Sequence, residues 1–187
     1  MELKRVVVTG LGAITPLGKT APETWENIKL GKSGAGPITH FDASKFKTQF
    51  ACEVKGYNAT DYFDRKEVRK MDLYEQYAVV AADEAIKDAG LDGDDIDKNN
   101  VGVGIGGIHT FEEEAGNYAK TGETMGPRYN PFFIPKMIAD IASGQVSINH
   151  GFRGPNYTTT SACASSTNAL ADAFNLVRLG KASAIVA

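Results

Sequence analysis

Apolar and polar positions divide the chain into short strands and helices. The all-apolar run at residues 6–8, closed by glycines and a proline, predicts a strand buried on both faces. Pro22 at a helix start and Gly31 beyond its end predict a short helix between them. Residues 32–60 show no sustained period and are rich in turn-forming residues. We therefore expect an irregular excursion there, with a strand near "FACEVKG" in which Cys52 packs.

From residue 72 the pattern becomes strongly helical. Small apolar residues recur at steps of three and four as far as Gly90, which predicts one long helix. The segment "NNVGVGIGGI" has glycines at alternate positions and predicts an apolar strand that another backbone or a ligand approaches closely. A helix is predicted from about Lys136 to Asn149. A strand in "PNYTTTSA", a helix in "SSTNALADAFNLVRLGKA" and a strand in "SAIVA" complete the chain.

This order of elements predicts an α/β fold, with a parallel or mixed sheet that has helices on both faces. The length of 187 residues suits one domain. The last predicted strand ends at Ala187 without a polar tail, whereas chain termini are usually frayed and polar. We therefore expect the chain to be the front portion of a longer protein.

Composition excludes several classes of function. The chain has 20 lysines and arginines against 23 aspartates and glutamates, a net charge of −3, which does not favour nucleic acid or an anionic membrane as partner. Two cysteines without paired spacing and three histidines argue against a disulfide framework and a zinc site. No stretch approaches the roughly 20 apolar residues of a membrane span, and no signal peptide is evident. We expect a cytosolic protein.

The glycine-rich segment "VTGLGAITPLG" imitates a dinucleotide-binding turn. Thr15 stands where the third glycine of that fingerprint belongs, Pro16 follows it, and the helix starts only at Pro22. No helix N-terminus then lies beside the turn to hold a pyrophosphate, and Glu26 falls inside a helix instead of at a strand end. We interpret the segment as a structural turn and keep a nicotinamide-dependent reductase as a weaker alternative.

Cys163 stands in "NYTTTSACASSTNAL", where β-forming residues meet small residues that begin a helix. A strand ending at about Ser161 and a helix beginning near Cys163 would place the sulfur at a helix N-terminus. Unpaired N–H groups and the helix dipole favour the thiolate there. The Cys163 N–H could also donate to a developing oxyanion. A buried packing cysteine explains the same pattern equally well, so both interpretations stay open at this point.

Several segments, in order from Arg5 onward, resemble the β-ketoacyl-acyl carrier protein synthases of the type II, elongating class, which are condensing enzymes of the thiolase superfamily. The segments are "VVVTGLGAITPLG", "RKMD", "VGVGIGGI", "NPFFIPKMIA", "INHGFRGPNYTTTSACASS" and "ASAIVA". The resemblance implies a thiolase-like layered αβαβα architecture. Residues 1–187 would form its N-terminal half, with a mixed five-stranded type of sheet and helices on both faces.

The resemblance also implies a decarboxylative Claisen condensation in fatty acid elongation. Cys163 would carry the acyl chain as a thioester, and malonyl-acyl carrier protein would supply the attacking carbanion. The implied partners are acyl carrier protein and a second copy in a homodimer, and no metal or dissociable cofactor is needed. Family members pair the cysteine with two histidines and a lysine in later motifs, which His40, His109 and His150 do not match. We therefore interpret these three histidines as surface or supporting residues and expect no condensation by this chain alone.

Two further sets of residues have binding roles implied by the resemblance. The apolar set would line the acyl pocket, with its last member reaching across the dimer: Ile108, Phe133 and Ile134. The basic set would dock the acidic carrier protein: Lys66, Arg69, Lys70 and Arg128. Ordinary core packing and a solvated helix face are the respective alternatives. For the function as a whole, the alternative is a non-catalytic fragment or partner subunit of the same fold. Such partner subunits lack the cysteine, so Cys163 argues against the latter.

Overall fold

A computed structural model of the chain describes residues 3–106 and 131–187. The first range contains α1 (Ala21–Lys29), β1 (Gly36–Pro37), β2 (Phe50–Ala51), a 3-10 turn (Ala59–Asp61), α2 (Arg65–Val68), α3 (Leu73–Asp88), a second 3-10 turn (Lys98–Asn100) and β3 (Val101–Gly106). The second range contains α4 (Phe133–Met137), α5 (Ile141–His150), β4 (Asn156–Thr159), a third 3-10 turn (Ala162–Ala164), α6 (Ser165–Arg178) and β5 (Ala184–Val186).

The main sheet of the described residues has three parallel strands in the order β4–β3–β5. In its register, Val103 pairs with Asn156 of β4 and with Val186 of β5. Parallel strands need crossover connections. The connection from β3 to β4 contains α4 and α5, and the connection from β4 to β5 contains α6. Strands β1 and β2 form a separate antiparallel pair. The predicted α/β class, with strands of a sheet separated by helices, is confirmed.

The alternation of valine and glycine in β3 places helices on both faces of the sheet. Val101 and Val103 are fully buried in a core that also contains side chains of α3 and α5: Val79, Ala82, Ile86, Val146 and Phe152 just beyond α5. On the opposite face, a Cβ at Gly104 would lie 2.3 Å from the ring of Tyr157. The Tyr157 hydroxyl donates to the Ala169 carbonyl of α6 at 3.3 Å. The glycines therefore allow the close approach that the sequence predicts.

Helices α1 and α3 begin where side chains accept hydrogen bonds from their first turns. The Thr20 hydroxyl accepts from the Glu23 N–H at 3.2 Å, and the Asp72 carboxylate accepts from the Tyr74 N–H at 3.0 Å. Gly90, with φ of 66°, follows α3 in the left-handed conformation that ends many helices. The predictions for both helices are confirmed.

Residues 6–8 do not form the predicted strand. Val7 and Val8 are 57% and 77% exposed, and no strand is assigned to this segment. The chain that follows them lies along α3, where Asp88 accepts from the Leu11 N–H at 2.9 Å and Glu84 from the Ala13 N–H at 2.8 Å. The segment after the apolar run is therefore held by carboxylates of α3 and not by strands of the sheet.

The glycine-rich turn packs directly against the backbone of α3. A Cβ at Gly10 would lie 2.2 Å from the Ala85 carbonyl oxygen, and one at Gly12 would lie 1.9 Å from that of Ala81. Glycine is needed at both positions because no side chain fits between the two backbones. This packing agrees with the interpretation of the segment as a structural turn.

Two further expectations differ from the structure. The single helix predicted from Lys136 to Asn149 is divided into α4 and α5, because Ile138 has extended ψ of 126° and the Ser143 hydroxyl bonds back to the Asp140 carbonyl at 2.9 Å. Cys52 does not pack in the excursion but is exposed, since β2 is a two-residue strand with only one side turned inward. No helix of the described residues is long and apolar enough to cross a membrane.

Candidate functional site

Cys163 lies in the 3-10 turn that joins β4 to α6. Helix α6 begins at Ser165, two residues later than the helix start predicted near Cys163, because a tight turn precedes it. Cys163 is a free thiol and is exposed. Exposure at the end of a strand favours the interpretation as a reactive thiol over that of a buried packing cysteine.

The backbone immediately before Cys163 is strained. Ala162 has φ of 50° and is the one non-glycine residue with positive φ among residues 3–106 and 131–187. This conformation costs an L-residue roughly 1–2 kcal/mol, and such residues concentrate at functional sites. The result is a sharp strand-to-helix turn of the type that presents nucleophiles in α/β enzymes.

Hydrogen bonds hold the turn from both sides. The Ser165 hydroxyl accepts from the Ser161 N–H and donates to the Ala162 carbonyl, both at 2.8 Å. The Thr159 hydroxyl, at the end of β4, donates to the Ser165 carbonyl at 2.7 Å. The Asn168 amide donates to the Ser161 hydroxyl at 2.6 Å. We name this set the turn clamp; it joins the end of β4 to the first turn of α6.

The start of β4 is fixed by a second polar network with α5. The Asn156 amide nitrogen donates to the Ser143 carbonyl at 3.0 Å and to the Ser147 hydroxyl at 2.6 Å. The fully buried Ser143 hydroxyl lies 3.0 Å from the Asn156 amide oxygen. The strand that leads to Cys163 is therefore anchored at both ends.

The candidate acyl-pocket residues are only partly described. Phe133 and Ile134 occupy consecutive positions in α4, where Phe133 is half-buried and Ile134 is 54% exposed. Ile108 lies outside the described residues. Burial of Phe133 and exposure of Ile134 are the pattern expected if the first packs inward and the second reaches toward another surface.

The candidate docking residues differ in their exposure and in their contacts with neighbouring side chains. Lys66 and Arg69 are exposed in and just after α2. The Lys70 ammonium lies 2.7 Å from the Glu67 carboxylate and 6.0 Å from the centre of the Phe132 ring. Local partners therefore engage Lys70, while Arg128 lies outside the described residues.

Glu75 is a buried carboxyl that the sequence interpretation did not single out. It is 1% exposed, and its Oε2 has no hydrogen-bond partner among the described residues. Burial raises the pKa of Glu75 to about 7, with the nearby Lys136 charge opposing that rise. The signal that could have identified it is spacing: residues 75, 79, 82 and 86 lie on one face of α3, and the other three are core residues.

Two histidines lie beside carboxylates near the surface, where the sequence interpretation expected surface or supporting residues. His150 Nε2 lies 2.8 Å from Asp83 Oδ1, joining α5 to α3, and His40 Nε2 lies 3.9 Å from Glu53 Oε1. His109 lies outside the described residues. Within the described ranges, no group of three or more His, Cys, Asp and Glu side chains is arranged to hold a metal ion.

A parallel sheet with helices on both faces places the chain in the α/β class, with an exposed cysteine on a strained strand-to-helix turn. The particular family follows from comparison with known proteins. The model of the β-ketoacyl synthase N-terminal domain matches residues 3–187. The chain belongs to the β-ketoacyl synthase family.

Curated relatives support this assignment over the whole chain. The chain is 45% identical over 190 residues to a 3-oxoacyl-[acyl-carrier-protein] synthase 2 of Synechocystis, covering 100% of this chain and 45% of the relative. It is 44% identical over 187 residues to the protein of the same name from Staphylococcus aureus strain N315, covering 98% and 44%. The chain therefore spans less than half the length of these relatives.

Solved structures share the fold. The ishigamide ketosynthase/chain length factor matches with a TM-score of 0.83 and 26% identity, and a β-ketoacyl synthase from Burkholderia phymatum STM815 with 0.77 and 26%. Each match covers 96% of this chain and 45% of the solved chain. A ketosynthase solved in complex with its type II PKS acyl-carrier protein matches with a TM-score of 0.76 and 24% identity. The ketosynthase fold expected from the sequence is confirmed.

Proposed function

We propose that the chain forms the N-terminal half of an elongating condensing enzyme, which joins an acyl thioester to malonyl-acyl carrier protein in fatty acid synthesis. The observation that carries this proposal is the exposed Cys163 on a strained, clamped turn. The name of the curated relatives, 3-oxoacyl-[acyl-carrier-protein] synthase 2, supports the substrate class and the acyl carrier protein as partner.

In the first step, the Cys163 sulfur attacks the carbonyl carbon of an acyl thioester on the carrier protein. A new C–S bond forms, the old C–S bond breaks, and the carrier thiol leaves with the proton that Cys163 gives up. The N–H of Cys163 is proposed as one donor to the oxyanion that develops on the carbonyl oxygen. Small neighbours, Ala162 and Ala164, leave room for the acyl group beside the sulfur.

In the second step, malonyl-acyl carrier protein loses its carboxylate as carbon dioxide, and the electron pair of the broken C–C bond becomes a carbanion. The carbanion attacks the Cys163 thioester carbonyl, a C–C bond forms, and Cys163 leaves as the thiolate. By resemblance, two histidines and a lysine of later family motifs assist this step. The three histidines of this chain do not match those motifs, so residues 1–187 alone are proposed to be inactive in condensation.

The remaining expectations from the family become part of this proposal. They include a five-stranded sheet within the αβαβα architecture, a homodimer, an acyl pocket lined by Ile108 and Phe133 with Ile134 reaching the partner subunit, and a cytosolic location. Carrier docking is proposed for Lys66 and Arg69, with Arg128 as a further member. Lys70 is a weaker member because Glu67 engages its charge. A partner subunit without a nucleophile is disfavoured because Cys163 is present.

Acyl transfer to Cys163 is the direct test. The chain offers a matched control, because Cys52 is also a free, exposed thiol. After incubation of the intact protein with acyl-acyl carrier protein, peptide mass spectrometry is expected to find the acyl mass on the Cys163 peptide. Cys52→Ser should retain this mass and Cys163→Ser should lose it. Acylation at Cys52, or at neither cysteine, would reject the assigned nucleophile.

The condensation step is tested separately on residues 1–187 alone. Malonyl-dependent chain extension, followed by mass spectrometry of the carrier-bound product, is expected to be absent. Extension by this chain would show that the groups needed for decarboxylation lie within it.

A further inference from the structure

We propose that Ser165 is a positioning residue that sets the orientation of Cys163 by holding Ala162 in its strained conformation. The inference rests on the proposed role of Cys163 as nucleophile. In this role the Ser165 hydroxyl keeps the Cys163 thiol in place just before α6, and the turn clamp supports the proposed nucleophile.

The Ser165 hydroxyl makes two hydrogen bonds to the backbone of the turn. Its oxygen accepts from the N–H of Ser161 and donates to the carbonyl of Ala162, each at 2.8 Å. One side chain therefore bonds the peptide group that precedes Ser161 and the peptide group that follows Ala162. These two bonds enclose the Ser161–Ala162 pair and restrain its backbone from both ends.

Ala162 has a strained backbone conformation. Its φ of 50° is the conformation that an L-residue leaves unless its surroundings oppose the change. No glycine relieves this position, so the backbone is held by contacts. Release of Ala162 toward negative φ would rotate the next residue, and that residue is Cys163.

Ser165 is buried, unlike the residues just before it. Ser165 is 2% exposed, whereas residues 161–164 are all exposed. Water cannot readily replace the two bonds of a hydroxyl that it does not reach, so they stay formed while the thiol faces solvent. Both hydrogen-bonding capacities used by the hydroxyl are directed at the backbone. Ser165 therefore acts through Cys163 and does not itself contact a substrate.

The other two bonds of the turn clamp connect it to the secondary structure. Thr159 bonds the Ser165 carbonyl from the end of β4, and Asn168 bonds the Ser161 hydroxyl from the first turn of α6. The strand and the helix thus keep Ser165 and Ser161 in register. All four bonds are between neutral groups, so the clamp itself does not titrate in the range where a thiol does.

Alkylation of Cys163 by iodoacetamide reports its orientation without needing an acyl substrate. The experiment uses the intact protein in a Cys52→Ser background, which leaves Cys163 as the thiol of residues 1–187, and measures the rate from pH 6 to 10. Ser165→Ala is expected to slow alkylation roughly tenfold at neutral pH, since the thiol loses the orientation that the turn clamp gives it. A parental rate across this pH range in Ser165→Ala would overturn the proposal.

Thr167→Ala is the matched control, because it removes an exposed hydroxyl two residues further along α6. Its alkylation profile is expected to match that of the parent. If it slows as Ser165→Ala does, the effect is general to the helix and the proposal is wrong.

Rescue by glycine tests whether Ser165 acts through Ala162. Glycine adopts positive φ without strain, so Ala162→Gly in the Ser165→Ala protein is expected to recover part of the lost rate. A double variant as slow as Ser165→Ala would contradict the mechanism. Should Ser165→Ala fail to fold, Asn168→Ala removes an outer bond of the clamp from an exposed residue. It should slow alkylation by less, and an unchanged rate would reject the clamp.

These outcomes separate the inference from the proposed function. Slower alkylation of the clamp variants in a protein that never accepts an acyl group would retain the clamp and reject the condensing activity. Acyl transfer to Cys163 with an unchanged alkylation rate in the clamp variants would retain the activity and reject the positioning role.

Discussion

Ser165 and Glu75 are polar side chains that the fold buries almost completely, at 2% and 1% exposure, but they differ in their hydrogen bonds and in whether they titrate. The Ser165 hydroxyl has partners for both of its bonds, whereas Glu75 Oε2 has none among the described residues. A neutral, satisfied group positions its neighbours at any pH, while a buried acid makes stability depend on protonation.

The surroundings of Glu75 strengthen the contrast. We call Glu67, Lys70, Asp72, Glu75 and Lys136 the charged cluster; it connects α2, α3 and α4. Burial has the largest effect on the pKa of Glu75 and raises it. The remaining effects partly cancel one another. A hydrogen bond from the backbone of Asp72 and the Lys136 charge lower the pKa, whereas the charges of Asp72 and Glu67 raise it. Lys136, itself 8% exposed, belongs to the helix that carries Phe133 and Ile134. Titration in this cluster is therefore adjacent to the proposed acyl pocket, unlike the neutral turn clamp.

The largest expected effect is a pH-dependent loss of stability caused by Glu75. Its folded pKa of about 7 lies above the ordinary value of 4.5, so the folded state binds the proton more tightly than the unfolded chain. The stabilising contribution is complete below pH 4.5 and is lost as pH rises through 7. The loss amounts to roughly 3 kcal/mol by pH 8.5.

Denaturant unfolding of the parent and of Glu75→Gln between pH 5 and 8.5 measures this effect. The variant is expected to be close to the parent in stability near pH 5, to exceed it increasingly as the pH rises from 5 to 7, and to keep a constant excess at higher pH. Glu26→Gln on the exposed surface of α1 is the control and should not produce such a divergence. Parallel stability curves for parent and Glu75→Gln would show that Glu75 is not a buried acid.

A smaller, pH-independent loss is expected when the face of the sheet beneath α6 is overpacked. The Cβ of Gly104→Ala would lie 2.3 Å from the Tyr157 ring, which must move and give up its bond to the Ala169 carbonyl. We expect a loss of about 2 kcal/mol in unfolding free energy. Gly144→Ala, in α5, is the control: its Cβ meets no atom within 4 Å, so it should stabilise the helix by about 0.5–1 kcal/mol. Equal effects of the two variants would refute the packing argument.

The smallest effect concerns the exposed charges beside the charged cluster. Reversal of Lys66 and Arg69 to glutamate in the intact enzyme should raise KM for carrier-bound substrate roughly threefold to tenfold at low salt, with kcat unchanged. The increase should shrink as salt screens the charges. Reversal of Lys45 and Lys47, exposed in the excursion, changes the net charge equally and should leave KM near the parental value. The docking role fails if both pairs give the same KM.

Particular residues show where sequence reasoning succeeded. Helix α3 was predictable because Asp72, the alanine spacing and Gly90 are local signals that agree with one another. The valine–glycine alternation of β3 likewise predicted close packing on one face. The valines at residues 6–8 misled because an apolar run does not specify which partner covers it, and here α3 accepts the hydrogen bonds of the chain that follows.

The sequence alone determined the α/β class, helix α3, strand β3, the family, and the place of Cys163 between a strand and a helix, because each depends on local pattern or on several motifs in order. Only the tertiary structure decided the positive φ of Ala162, the two bonds of Ser165 and the burial of Glu75. The φ of Ala162 is set by competition between local preference and contacts. The Ser165 bonds and the Glu75 environment depend on which groups folding brings within a few ångströms of each other, and no spacing along the chain records that distance.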